Sequence, residues 1–364
     1  MMDPVALLQA ELGPLAREAA HGSPKSPRVI ERLLQRARQL DYQPLIALAR
    51  VTLGHAWQHV GKFRQAQRAF LQGADLYRQL GDEHARVEAM VELGRSHYAC
   101  GDAARALDIW SRTLELARAN HDMRNCARIC LGVGQLYVAQ GDHPRSLRYH
   151  ELALRLARPL GDDHLVCEAL LNVAGDAYRC AIFDRAMAVL DEAEQLLAGP
   201  VHNRVWSAEV INYRGLVHHA RGDYVTALAE LDVAFTLHDN NRNLWGRAHS
   251  LLALGRTHLQ LGDTASGQRC LEAALEMGQQ SQIAPLVVQS AELLAELASQ
   301  QNEHYQALAY LRLIDALESR PGANPAGSRP TPAQLQRLQQ LEADSRARVL
   351  QRQLQPLRMP AWSS

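Results

Sequence analysis

A 40-residue period predicts an all-α fold: a right-handed superhelix (α-solenoid) of about seven helix hairpins, with a degenerate N-terminal hairpin and a C-terminal helix. Three observations carry this expectation. Glycines recur at Gly54, Gly94, Gly134, Gly215 and Gly255, with Ala174-Gly175 filling the gap and Ala295 continuing the series after one single-residue slip around the fourth unit. A second glycine follows each of the five by seven residues, at Gly61, Gly101, Gly141, Gly222 and Gly262. Finally, a small-residue column (Ala66, Ala106, Ser146, Ala186, Ala227, Gly267, Ala307) is shadowed four residues later by Phe70, Trp110, His150, Leu190, Leu231, Leu271 and Leu311. A spacing of four keeps both columns on one helical face, so small and large side chains alternate where helices cross.

Each element follows from this pattern. Residues 3–20 and 27–43 carry two amphipathic segments separated by HGSPKSP, expected to form a capping hairpin over residues 1–43. Residues 44–319 hold the seven repeats. Between the helices of a hairpin the second glycine supplies a left-handed turn, and the Asp after four of them is placed to cap the next helix. Asn302 tolerates that turn, whereas Ala181 suits it less well. Residues 320–332, SRPGANPAGSRPTP in part, have linker composition; 333–355 have helical spacing; 356–364 are a short Pro-containing tail. The helix at 333–355 either caps the last repeat or forms a coiled coil or partner-binding element.

Composition narrows function. Lys plus Arg and Asp plus Glu both number 39, so no net field recruits nucleic acid or an acidic membrane surface. The N-terminal MMDPVALLQAELG lacks the positive start of an export signal, and no run approaches the roughly 18 apolar residues that cross a bilayer, so a cytoplasmic location is expected. The six cysteines lie inside helical patterns without paired CxxC spacing. His55 and His59 have a zinc-compatible i, i+4 spacing but no evident third ligand; no metal and no cofactor is expected. GVG within CLGVGQLY sits in a helix pattern without the strand a nucleotide loop needs, and no nucleophile elbow occurs, so no enzyme activity is expected.

The repeat residues resemble the tetratricopeptide family, in which a small residue in the first helix is followed three later by an aromatic, then by Gly, Ala and a bulky residue. Trp57, Tyr137 and Tyr178 occupy the aromatic column, while His97, His218, His258 and Ala298 depart from it. The period is longer than the common 34 residues and resembles the long-repeat variety of kinesin light chains, maltose-type activators and bacterial peptide-pheromone receptors. In such relatives asparagines near the groove clamp an extended peptide backbone. That resemblance implies the same role for Asn172 and Asn212, which sit forty apart, three before Gly175 and Gly215.

If the column glycine faces the neighbouring helix, positions three before, one after and four after it approach the concave wall. With the start of each first helix, this places Arg95, Arg128, Gln135, Asp176, Arg179, Glu209, His219, His249 and Arg256 beside the two asparagines as partner-binding candidates. Mixed charge suits a protein or peptide partner better than nucleic acid, and the arginines suit a carboxylate. The expected function is therefore a non-enzymatic interaction module gripping a peptide or protein segment. The alternative is a ligand- or peptide-sensing regulator whose output domain, such as a cyclic-dinucleotide synthase or a DNA-binding domain, is absent or acts in trans. The oligomeric state stays open.

Overall fold

The computed structural model describes residues 3–20, 22, 24–319 and positions 336, 340 and 343; the expected linker, C-terminal helix and tail therefore lie almost wholly outside the described residues. Sixteen α-helices and no strand occur among the described residues. Most helices are 17 residues long with three-residue connections, which produces a 20-residue step and hence the 40-residue hairpin. By packing, the chain divides into two compact units, one of Met1–Gly141 with Glu151–Gly161, the other of Asp142–His150 with Asp162 onward.

The first unit holds α1 (Pro4–Ala20), α2 (Pro27–Gln39), α3 (Gln43–His59), α4 (Phe63–Leu80), α5 (Glu83–Ala99), α6 (Ala103–Ala119), α7 (Met123–Ala139) and part of α8 (His143–Ala157). Leu8 and Leu12 of α1 and Ile30 and Leu33 of α2 bury against Leu45, Ala49 and Leu53 of α3. The glycine column turns out to be the hole into which the large column fits. A Cβ on Gly54 would come within 2.6 Å of the Phe70 ring, and one on Gly94 within 2.2 Å of Trp110 Nε1. Trp110 is wedged against Gly94 of α5 and Gly132 of α7, and its Nε1 donates to the Val91 carbonyl at 3.1 Å, so its one polar atom is satisfied in the core.

The second unit holds the rest of α8, then α9 (Asp163–Arg179), α10 (Phe183–Ala198), α11 (Arg204–Ala220), α12 (Tyr224–Asn240), α13 (Leu244–Gln260), α14 (Thr264–Gln280), α15 (Ala284–Gln300) and α16 (His304–Glu318). Gly215 and Gly255 receive Leu231 and Leu271 in the same way, 2.7 Å from a would-be Cβ. Within each unit, successive first helices also touch one another, α5 with α7, α9 with α11, α11 with α13 and α13 with α15.

The caps appear where the sequence places them. Asp102, Asp142, Asp223 and Asp263 each accept from the backbone N–H three residues on. A residue of positive φ recurs every 20 residues over most of the chain from Asp41 to Asn302, and Ala181 takes this conformation with φ 57° although it carries a Cβ. The slip can be placed. Caps Asp122 and Asp162 are 40 apart, Asp162 and Asn203 41, and Asn203 and Asn243 again 40. The added residue therefore sits in the α10–α11 connection, and the true column member of α9 is Ala174, not Gly175.

Candidate functional site

That one-residue correction decides how the candidate residues face. In the first unit the column is unshifted. Glu92, two before Gly94, lies in the wall with 5% exposure and pairs with Arg128 Nη2 of α7. Arg95 Nη1 stands 3.7 Å from its Oε1, and His55 Nδ1 is 3.9 Å from its Oε2. Burial alone would raise the Glu92 carboxyl, but Arg95 and Arg128 outweigh it and bring it to about 2. Burial pushes the His55 imidazole down, so at neutral pH it is uncharged and the two guanidinium groups are the charges that matter. Arg128 also donates to Asn125 Oδ1 at 3.1 Å, and Arg124 reaches Glu88 at 3.1 Å. Gln135 is half-buried, its backbone carbonyl accepting from the Tyr98 hydroxyl at 3.2 Å. The basic candidates here are satisfied by carboxylates of their own wall.

In the second unit Asp176 is two past the true column, where Ser96, Val217, Thr257 and Leu297 are also buried. The expectation that it lines the partner face is corrected: it has no exposure and accepts from Ser146 Oγ at 2.5 Å and from His150 Nδ1 at 2.6 Å. Ser146 and His150 stand in columns otherwise filled by small residues and mostly by large apolar ones, so two polar residues on α8 are matched by one acid on α9. This is no catalytic relay, because serine and histidine share one carboxylate oxygen in a sealed core instead of standing in series.

The two asparagines are also corrected. Forty residues separate them, but equivalent positions are 41 apart across the slip, so they lie on different faces. Asn172 is half-buried and its Nδ2 donates to the Glu168 carbonyl at 2.8 Å. Asn212 is 6% exposed and its Oδ1 accepts from Ser250 Oγ at 3.0 Å. Both amides are engaged within their own helical wall.

What gathers instead is Arg179, Glu209, Tyr213 and His249 on α9, α11 and α13. The exposed Arg179 guanidinium and the Tyr213 hydroxyl converge over the α-carbon of Gly175, where a Cβ would lie 2.9 Å from Arg179 Nη1 and 2.7 Å from the hydroxyl. Burial opposes the Arg179 charge, but Tyr213 and Asp176 together push its pKa up. Burial raises the Tyr213 phenol as well, so it faces the guanidinium as a neutral group. Glu209 is half-buried, and burial lifts its carboxyl to about 7 against the pull of Arg179. His249 is pushed down by burial and by Arg179, and its ring stacks on Trp245 at 3.9 Å between centroids. Trp245 is 47% exposed. Farther along, His219 Nδ1 lies 3.0 Å from Thr257 Oγ1, and Arg256 donates to Gln289 Oε1 at 3.0 Å.

Sequence reasoning missed Glu92, Tyr213 and Trp245. The first two share one column, two before the glycine, and correct phasing at Ala174 would have pointed to it. Among the described residues no group of three or more His, Cys, Asp or Glu is placed to hold a metal ion, and no helix is long and apolar enough to cross a membrane.

Two stretches, residues 83–158 and 248–279, match protein-family models described as Tetratricopeptide repeat. No curated protein matches the chain in sequence. Among solved structures, the apo form of the quorum sensor NprR from B. thuringiensis is similar at a TM-score of 0.66 and 15% identity, over 88% of this chain and 89% of that one. NprR in complex with its cognate peptide NprX gives 0.51 and 16%, over 80% and 83%. A signal transduction ATPase with a tetratricopeptide repeat sensor from Pyrococcus horikoshii gives 0.60 and 14%, over 80% of this chain and 44% of that one. At these identities the likeness is one of fold.

Proposed function

The chain is a member of the tetratricopeptide-repeat superfamily, and on that premise we propose that it binds a peptide or protein segment along the first-helix wall of its second unit, without chemical turnover. One observation carries this reading. Arg128 is neutralised by a carboxylate held ionised at about 2, whereas Arg179 is exposed beside a neutral phenol and a carboxyl at about 7. A guanidinium left without a fully ionised partner, next to a half-exposed indole, is a surface suited to another molecule. Arg256, His219 and Gln289 extend the same helices with further polar groups.

A sensing role for this wall is the second reading, favoured by the two neighbours described as a quorum sensor and as a repeat sensor. Both readings need a bound segment first. The test is selection of a random heptapeptide library on the immobilised chain, with each clone then measured on Arg179→Glu, Trp245→Ala and, as a control on α14, Arg269→Glu. Clones should bind wild type and the control and lose binding to the other two. Failure to select any clone, or clones indifferent to both wall substitutions, overturns the proposal.

A further inference from the structure

We propose that the second-unit wall selects a segment presenting a carboxylate next to a bulky apolar side chain, and that Glu209 takes up a proton as this segment binds. The inference rests on the binding role proposed above and specifies its ligand. Trp245 and His249 form a stacked pair at the start of α13, and the neighbouring starts of α11 and α13 leave Val205 at 38% and Leu244 at 55% exposure. This apolar ledge adjoins the charged cluster through His249, whose ring feels the Arg179 charge. Arg179 is the one cation of the cluster at neutral pH, since burial holds both His249 and His143 of α8 below their usual value. Tyr213 donates no negative charge, and the buried Asp176 is committed to Ser146 and His150.

A carboxylate arriving at Arg179 therefore meets a guanidinium with two directions of its fork available, and a rim of indole and aliphatic side chains for an adjacent apolar group. It also meets Glu209. Two carboxylates sharing one guanidinium cannot both stay ionised without cost, and the one already raised by burial is the one that protonates. Because Glu209 titrates at about 7, it is about half protonated at pH 7, and complete protonation on binding takes up about half a proton.

The test uses heptapeptides selected on the full chain, their Asp→Asn and Glu→Gln versions, and their C-terminally amidated versions. Calorimetry at pH 7 in two buffers of different ionisation enthalpy reads proton uptake directly. The expected result is an acidic group beside an aromatic or large aliphatic residue in the selected sequences, and roughly tenfold or greater loss when that carboxylate is made an amide. The side-chain and C-terminal arms identify which carboxylate is used. Uptake of about half a proton should vanish in Glu209→Gln, which should bind the acidic peptide more tightly than wild type at pH 8. Arg179→Gln should lose the preference for acid over amide while remaining as helical as wild type. Peptides that bind with no acidic preference, or with no proton uptake, overturn this inference and leave the binding role intact; absence of any binding peptide overturns both.

Discussion

Replacing Asp176 with alanine should be among the most damaging single changes in the second unit, and replacing its whole cluster should not be. Ser146, His150 and Asp176 have no exposure, and the acid accepts at 2.5 and 2.6 Å from the other two. Asp176→Ala strands two polar side chains in a dry core without this acceptor, a loss of about 3–5 kcal/mol by comparison with broken buried pairs. The triple change Ser146→Ala, His150→Leu, Asp176→Leu installs the residue types that other repeats carry in these columns. Swapping a buried polar group for packed apolar side chains is commonly neutral or stabilising by about 1–4 kcal/mol. Urea unfolding followed by circular dichroism gives the stability, and hydrogen exchange of the α8 and α9 amides shows where any loss falls. A triple variant as unstable as Asp176→Ala would refute the reasoning, because the cost would then lie in backbone packing and not in unmet polar groups.

Other perturbations test other parts of the fold. Ala181→Gly should stabilise by about 0.5–1 kcal/mol, since a left-handed residue with a Cβ costs about 1–2 kcal/mol and glycine returns part of that as chain entropy; thermal melts decide its sign. Gly94→Ala should cost about 1–3 kcal/mol and change the near-ultraviolet signal of Trp110, whose Nε1 a new Cβ would meet at 2.2 Å; an unchanged melt would mean the helix pair gives way freely. Glu92 has a folded pKa of about 2, below its ordinary 4.5, so its contribution is present above pH 4.5 and lost as pH falls toward 2; Glu92→Gln should flatten that acid limb of a stability profile. Glu209 is the opposite case, raised from 4.5 to about 7, so its contribution is present below pH 4.5 and lost as pH rises to 7. Glu209→Gln should remove that slope and gain on wild type above pH 7.

The repeat architecture was legible because it is written in side-chain volume. Gly94 with Trp110, or Gly255 with Leu271, must recur wherever two helices cross at the same depth, and recurrence survives in sequence. The wall facing a partner obeys no such rule. Asn172 and Asn212 share an interval with the repeats but not a phase, since the extra residue between α10 and α11 lies between them, and equal spacing was mistaken for equivalence. Asp176 was misplaced by the same slip. Its burial could still have been suspected from the column defects Ser146 and His150, because a polar residue in an apolar column needs a partner. The pairing of Arg128 with Glu92 is a contact across 36 residues, and charge alone could not distinguish it from the unmatched Arg179.

The α10–α11 connection has a practical consequence. Its added residue sits outside both helices: Val201 folds back to bond the Leu196 carbonyl at 2.9 Å and buries its side chain, and Asn203 then restarts the next helix by accepting from Val205 and Trp206. The same residue inserted inside a helix would swing every later side chain on it by about 100°. Here the frame is absorbed, so this junction is a natural splice point, at which the exposed His202 can give way to a reporter while the columns on either side keep their phase.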